Sequence, residues 1–127
     1  MKKNILRVLA AIPGIPMLMN GIAFLTNPAQ ATAGLGMDLL DGVGRSTQVG
    51  DFMSFFFGIA ILIFLGAYKA TGQLLYVAAM FLGGAAVGRT IAAMAHGADM
   101  ANQFIVPELV LTVWLCLCAY FLNKVAD

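Results

Sequence analysis

Residues 104–123, FIVPELVLTVWLCLCAYFLN, are the clearest indication of the architecture of this chain. The stretch contains one charged residue, Glu108, among side chains that are mainly apolar. An α-helix needs about 20 apolar residues to cross about 30 Å of hydrocarbon. The stretch therefore predicts a transmembrane helix.

Three further segments of similar length and composition precede it, at about 5–26, 48–68 and 74–96. None of the four sequences has the period-2 alternation that marks the strands of a membrane barrel. A backbone inside lipid must satisfy its own hydrogen bonds, so spans of this length are expected to be helices. The sequence predicts an all-α polytopic membrane protein, with one domain over 1–127 and four transmembrane helices in an up-down bundle.

The overall composition agrees with this class. Apolar residues make up 61% of the chain and charged residues 10%, whereas soluble domains have about 45–50% and about 25%. The net charge is +1 and the basic residues form no cluster, so we expect no nucleic-acid partner. The expected partners are membrane lipids, together with a larger membrane complex or further copies of the chain in a homo-oligomer.

The basic residues also predict an orientation. Five of them fall on one side of the four predicted spans, and Arg45 in the 27–47 connection falls on the other. The five are Lys2, Lys3, Arg7, Lys69 and Lys124. The positive-inside rule then places both termini in the cytoplasm. We expect the first segment to remain as a span, because its apolar stretch at 8–25 is longer than the about 7–15 residues of a signal-peptide core.

Prolines predict local departures from regular helix. Pro13 and Pro16 remove two backbone donors in the middle of the first span, so a kink is expected there. Pro107 suits the first turn of a helix that begins near residue 104. The glycine-rich connection at 27–47 is long for a small bundle, and two interpretations stay open. It is either a segment lying at the outer membrane surface or a gate over an outward-facing pocket.

Polar and charged side chains concentrate in one half of the predicted bundle. Counting 1.5 Å per residue from the helix ends places them at similar depths, in the half nearer the 27–47 connection. The candidates are Asn20, Arg45, Asp51, Arg89, His96 and Glu108. An isolated charge at the centre of a spanning helix costs about 2.5–3.5 kcal/mol. We therefore expect Arg89 to face the interior and to bridge to Glu108, to Asp51, or to both.

The role of this cluster is left open by the sequence. One interpretation is structural, since carboxylates in the first turn of a helix and a histidine in the last turn stabilise the helix dipole. The other is a site for a ligand, a proton or a substrate. No metal or other cofactor is predicted, because His96, Asp99 and Glu108 lack the short spacings of zinc ligands. Cys116 and Cys118 diverge by about 200° on a helix and cannot chelate together.

Small residues predict close helix packing in the same region. Gly84 and Gly88 form a small-xxx-small pair on the third span, and Gly58 on the second span is a candidate to lie opposite. Such a strip serves either packing within the chain or an interface with another subunit.

Four short motifs give the chain a family resemblance. They are PGIP with a following NG in the first span, DFMSFFFG at 51–58, GGAAVGR at 83–89 and PEL at 107–109. With these motifs the chain resembles a bacterial family of small four-helix membrane proteins, a domain of unknown function loosely similar to DoxX-like proteins. The resemblance implies a multi-pass protein of the bacterial inner membrane, and it assigns no catalytic role to any residue.

No enzyme is indicated by the residues themselves. Ser54 follows Asp51 by three positions, yet no histidine or lysine is placed to act as its base. The leading expectation is a non-catalytic accessory or oligomerising subunit of a membrane assembly, with an ion-paired cluster in the outer half. The alternative is an outward-facing site for a small amphipathic or anionic ligand, such as a lipid or quinone, gated by 27–47.

Overall fold

The computed structural model describes residues 1–126, which are mainly helical and include non-helical connections at 35–41 and 96–101. Six helices follow one another: α1 (Lys2–Ala11), α2 (Gly14–Thr26), α3 (Pro28–Gly34), α4 (Gly42–Lys69), α5 (Gly72–Ala95) and α6 (Asn102–Ala126). Four stretches are long and apolar enough to cross a membrane: Lys2–Thr26, Gly42–Lys69, Gly72–Ala95 and Asn102–Ala126. The predicted all-α class, with four helices able to span a membrane, is confirmed.

Helix ends differ from the expected ones at two places. α4 begins at Gly42 rather than near residue 48, so its first turns occupy the end of the predicted 27–47 connection. α6 begins at Asn102, which places Pro107 inside the helix and not in its first turn. There Pro107 lacks the N–H that would donate to the carbonyl of Gln103. The helix continues past this missing bond because its other residues still pair in register.

The first span is broken at Pro13, in the region of the expected kink, and Pro16 lies inside α2. α1 ends at Ala11 and α2 starts at Gly14, with Ile12 and Pro13 in a turn between them. Pro13 has no N–H to donate to the carbonyl of Leu9, four residues earlier. The indole Nε1 of Trp114 donates to that carbonyl oxygen at 2.9 Å. A side chain of α6 thus replaces the backbone donor that Pro13 lacks.

The chain divides into two compact units. The first unit comprises Met1–Pro13 and the chain from Leu62 onward, and therefore contains α1, the end of α4, α5 and α6. The second unit is Gly14–Ile61, with α2, α3 and most of α4.

In the first unit, α5 and α6 run antiparallel and supply most of the core. Leu75 and Leu82 of α5 and Leu115 and Leu122 of α6 are buried. Where α5 begins, the backbone N–H of Gly72 donates to Asn123 Oδ1 near the end of α6, at 2.8 Å. A side chain at Gly72 would collide with the Ala119 carbonyl, so glycine is required at this contact.

In the second unit, a row of phenylalanine rings packs α2 against α4. The buried Phe24 ring stacks on Phe52 and Phe56, with centroid distances of 5.2 and 5.9 Å. A Cβ at Gly21 would lie 3.0 Å from the Phe57 ring, so α2 approaches α4 closely at this glycine. Gly21 and the phenylalanines at 52, 56 and 57 thus serve the same contact between α2 and α4.

The 27–47 connection is itself ordered within the second unit. Asn27 caps α3 by accepting from the Gln30 N–H at 3.3 Å. The buried Gln48 side chain of α4 accepts from the Leu40 N–H at 2.8 Å and donates to the Asp38 carbonyl at 3.0 Å. Arg45 donates to the Leu40 carbonyl at 2.9 Å. Residues 38–40 are therefore attached to α4 by both side chains.

Replacing Trp114 by phenylalanine should destabilise the protein, because the Leu9 carbonyl is then left without a donor. We expect a loss of about 1–2 kcal/mol in the free energy of unfolding, measured by thermal or denaturant unfolding in detergent micelles. In a Pro13→Ala background the restored N–H can donate to the Leu9 carbonyl. Trp114→Phe should then lower the free energy of unfolding clearly less. An equal cost in both backgrounds would show that the indole does not compensate for Pro13.

Candidate functional site

The charged pair of Arg89 and Glu108 forms the candidate site. Arg89 lies six residues before the end of α5 at Ala95, and Glu108 lies six residues after the start of α6 at Asn102. At 1.5 Å per residue both are about 9 Å inside their helix ends. Because α5 and α6 are antiparallel neighbours, these two positions meet at the same level.

The pair is joined by one short contact. Arg89 Nε donates to Glu108 Oε1 at 3.0 Å. The Arg89 side chain is 29% exposed and that of Glu108 is 15% exposed, so the pair is largely removed from the surroundings. Partial burial makes each charge depend on the other, because neither is well solvated alone.

An aromatic ring forms one wall of the site. The guanidinium carbon of Arg89 lies 4.7 Å from the centroid of the Phe104 ring. A cation over an aromatic face is attracted by the ring quadrupole, and the attraction strengthens where water is excluded. Phe104 precedes Glu108 by four residues and so lies on the same face of α6. Phe104 is absent from the candidates predicted from the sequence, although this spacing could have identified it.

The pair leaves hydrogen-bonding capacity unused. Glu108 Oε2 is buried and has no hydrogen-bond partner. Among the described residues, Arg89 donates only through Nε, so both terminal nitrogens of the guanidinium keep their donors. One unpaired acceptor and several unpaired donors therefore lie side by side on the α5–α6 pair.

Besides Gly72, α5 also approaches α6 closely at Gly83. A Cβ on Gly83 would be 3.3 Å from Cγ2 of Thr112 on α6. Within the first unit, a Cβ on Gly84 or Gly88 would meet no atom within 4 Å. The predicted close packing of α5 within the chain is therefore carried by Gly83 in the α5–α6 pair, and Gly84 and Gly88 are exposed.

The remaining predicted members are described within their own units. Asn20 and Asp51 are exposed residues of the second unit, and Arg45 there pairs with Asp41 at 3.0 Å. His96 is the exposed C-cap residue of α5, and its backbone N–H donates to the Ala92 carbonyl. A Cβ on Gly58 would meet no atom within 4 Å in the second unit. Of the six polar candidates, the structure joins Arg89 and Glu108 to each other.

No group of three metal-ligating side chains comes together among residues 1–126. The chemistry available at the Arg89 site is therefore that of the two charges and the ring. A guanidinium with free donors binds phosphate, carboxylate or carbonyl oxygens, and a free carboxylate oxygen accepts from a hydroxyl or amine.

Removing one partner of the pair should be more harmful than removing both. We expect Arg89→Met to lower the free energy of unfolding by roughly 3 kcal/mol, because Glu108 is left as an unpaired, mostly buried charge. The Arg89→Met, Glu108→Leu double variant should recover most of that loss. Unfolding in detergent, with the yield of folded protein in membranes, measures both effects. A single variant as stable as the parent chain would show that the pair has no structural role.

In comparisons with known proteins, no protein-family model, curated protein or solved structure matches the chain.

Proposed function

We propose that the chain is a non-catalytic subunit of a membrane assembly, either an accessory subunit of a larger complex or a homo-oligomer. The proposal rests on one observation, the open small-residue face of α5. Gly83 already serves the contact with α6, whereas Gly84 and Gly88 are exposed and have open space beside them within their unit. Glycines on a lipid-facing helix surface allow a second helix to approach closely.

The residues around these glycines support the proposal. Val77, Met80, Val87 and Ile91 are all exposed and share the face with Gly84. The positions 77, 80, 84, 87 and 91 alternate in steps of three and four, which is the spacing of a helix–helix seam. The Arg89–Glu108 pair fixes α5 to α6 beside this face, so the face is presented by a rigid helix pair.

We also propose a bacterial inner-membrane location with both termini in the cytoplasm. The five basic residues named above support this orientation under the positive-inside rule. Tyr68, Tyr76 and Tyr120 lie toward the same ends of α4, α5 and α6 as those basic residues, where an interfacial ring is favourable. The resemblance to the DoxX-like group supports the same location as an analogy of layout.

A second function is favoured by the unused hydrogen-bonding groups at Arg89 and Glu108. An amphipathic ligand with an anionic or carbonyl oxygen next to a hydroxyl would satisfy the guanidinium donors and Glu108 Oε2 together. A lipid headgroup has both groups, and a quinone in its reduced form has hydroxyls. The 27–47 segment is the proposed gate of this site, and Gln48 and Arg45 attach its residue Leu40 to α4.

Native mass spectrometry after gentle extraction tests the subunit proposal. The parent chain should be released as a defined oligomer or with a stoichiometric partner subunit. Gly84→Leu and Gly88→Leu should shift it to the monomer, because a leucine keeps the second helix at a distance. Gly50→Leu is the matched control, since Gly50 is exposed and also has open space beside it. A parent chain that is monomeric under these conditions would contradict the proposal.

The ligand function makes a different prediction for Arg89→Lys. The lysine keeps the charge opposite Glu108, so the protein should fold, but it lacks the planar set of donors. A small molecule that co-purifies with the parent chain should then be lost. If the parent chain carries only the general lipids of its membrane, the ligand function is wrong, whereas the subunit proposal is unaffected.

A further inference from the structure

A second feature of the first unit lies at its opposite end, between α1 and the last turns of α4. An open groove of about 450 Å³ is found there. Its lining includes Asn4, Arg7, Val8, Phe64 and Tyr68. It is far along the helices from Arg89, because α5 begins at this end and Arg89 lies near the other end of α5.

The groove changes from polar to apolar along its length. Asn4 and Arg7 are near the start of α1, and Ala11, which also lines the groove, is about 10 Å further along the helix from Asn4. Val8 and Phe64 also line it with apolar side chains, and Phe64 lies four residues before Tyr68, about 6 Å further from the end of α4. A polar mouth at the helix end and an apolar interior match the order of headgroup and acyl chain in a phospholipid.

Arg7 is held rigidly at the polar mouth. Its Nε donates to the Ala67 carbonyl and its Nη2 to the Tyr68 carbonyl, both at 2.9 Å. The guanidinium carbon also lies 5.9 Å from the Tyr68 ring centroid. These carbonyls belong to the last turn of α4, where α-helical partners are lacking, and that of Ala67 also accepts from the Ala70 N–H at 3.3 Å. Nη1 has no partner among the described residues, so a donor and the full positive charge remain for a ligand.

Among the described residues of the first unit, the charges at this end are all positive. Lys2 and Lys3 precede Arg7 on α1, and Lys69 ends α4 next to Tyr68. Lys124 lies beside Asn123, whose contact with Gly72 brings the end of α6 to the same end of the unit. The acidic residues of the described first unit, Asp99 and Glu108, lie toward its other end. Within the described part of the first unit, an anion at the groove mouth therefore meets only cations.

From this geometry we propose that the α1–α4 groove binds one anionic phospholipid. The phosphate lies at Arg7 and Asn4, and one acyl chain lies along Val8, Ala11 and Phe64. The cations select an anionic over a zwitterionic headgroup, and the apolar wall selects a lipid over a soluble anion. This site is separate from the Arg89 pair and does not depend on the proposed function.

A groove without a cation provides an internal comparison. α6 bears an open groove of about 390 Å³ along Leu109, Val110, Val113 and Leu117, with Trp114 at one side. None of its lining residues is charged. It can hold an acyl chain but has nothing that distinguishes one headgroup from another.

The test is native mass spectrometry of the full chain released from nanodiscs that contain equal amounts of palmitoyl-oleoyl phosphatidylglycerol and phosphatidylcholine. The parent chain should retain about fivefold more of the anionic lipid, the ratio that corresponds to one interfacial cation. Added inorganic phosphate should not displace it. Equal retention of the two lipids would overturn the proposal, and displacement by phosphate would do so by identifying a soluble anion as the ligand.

Two matched pairs of variants locate the site. Asn4 is exposed, so Asn4→Glu should leave folding intact. Its carboxylate should repel the phosphate and remove the preference for the anionic lipid. Asn4→Gln should keep that preference. Val8→Trp should fill the groove and reduce bound phosphatidylglycerol about fivefold, whereas Val113→Trp on α6 should not. If both members of either pair behave alike, the lipid does not bind between α1 and α4.

Discussion

Water is absent from the membrane interior, and the contacts between helices in the first unit follow from this. A backbone carbonyl or a charge without a partner is costly there, so each must be satisfied by the chain itself. The carbonyl of Leu9, which Pro13 leaves without a donor, accepts from Trp114 on α6. The last carbonyls of α4 accept from Arg7 on α1, and the first N–H of α5 donates to Asn123 on α6. Polar side chains of this unit thus join one helix to another at the points where helices break or end.

The Arg89–Glu108 pair also joins two helices through polar side chains, but not all of its hydrogen-bonding groups are used. The pair places the positive charge of α5 against the negative charge of α6, but it leaves Glu108 Oε2 and the terminal nitrogens of Arg89 without partners. Like Arg7 at the end of α4, the pair therefore keeps donors for a further molecule, and it adds an unpaired buried acceptor. The same pair can therefore stabilise the helix packing and hold a ligand, and the two proposed functions differ in which of these roles is used.

Much of the fold could be predicted from the sequence because the length of an apolar run decides whether it can span the membrane. The Arg89–Glu108 pairing could also be predicted, because counting residues from the helix ends places both charges at one depth. The contact of Trp114 with Leu9 could not, since it depends on which face of α6 meets α1. The distinction between Gly83 and Gly84 is of the same kind: successive residues differ by 100° around a helix, and only the packing decides which one meets α6. Asp51 shares a similar expected depth with Arg89 yet belongs to the other unit, because depth alone does not specify a neighbour.

The ion pair between Arg89 of α5 and Glu108 of α6 can be measured directly inside the membrane. Glu108 is the only glutamate in the chain, so labelling glutamate with ¹³C at the carboxyl carbon reports this residue alone. Solid-state NMR of the protein in lipid bilayers, with arginine labelled by ¹⁵N, measures the dipolar coupling between that carbon and the guanidinium. We expect strong dephasing of the Glu108 signal that disappears in Arg89→Lys. A Glu108 signal that is not dephased in the parent chain, or one that is dephased equally in Arg89→Lys, would show that the two side chains are not paired.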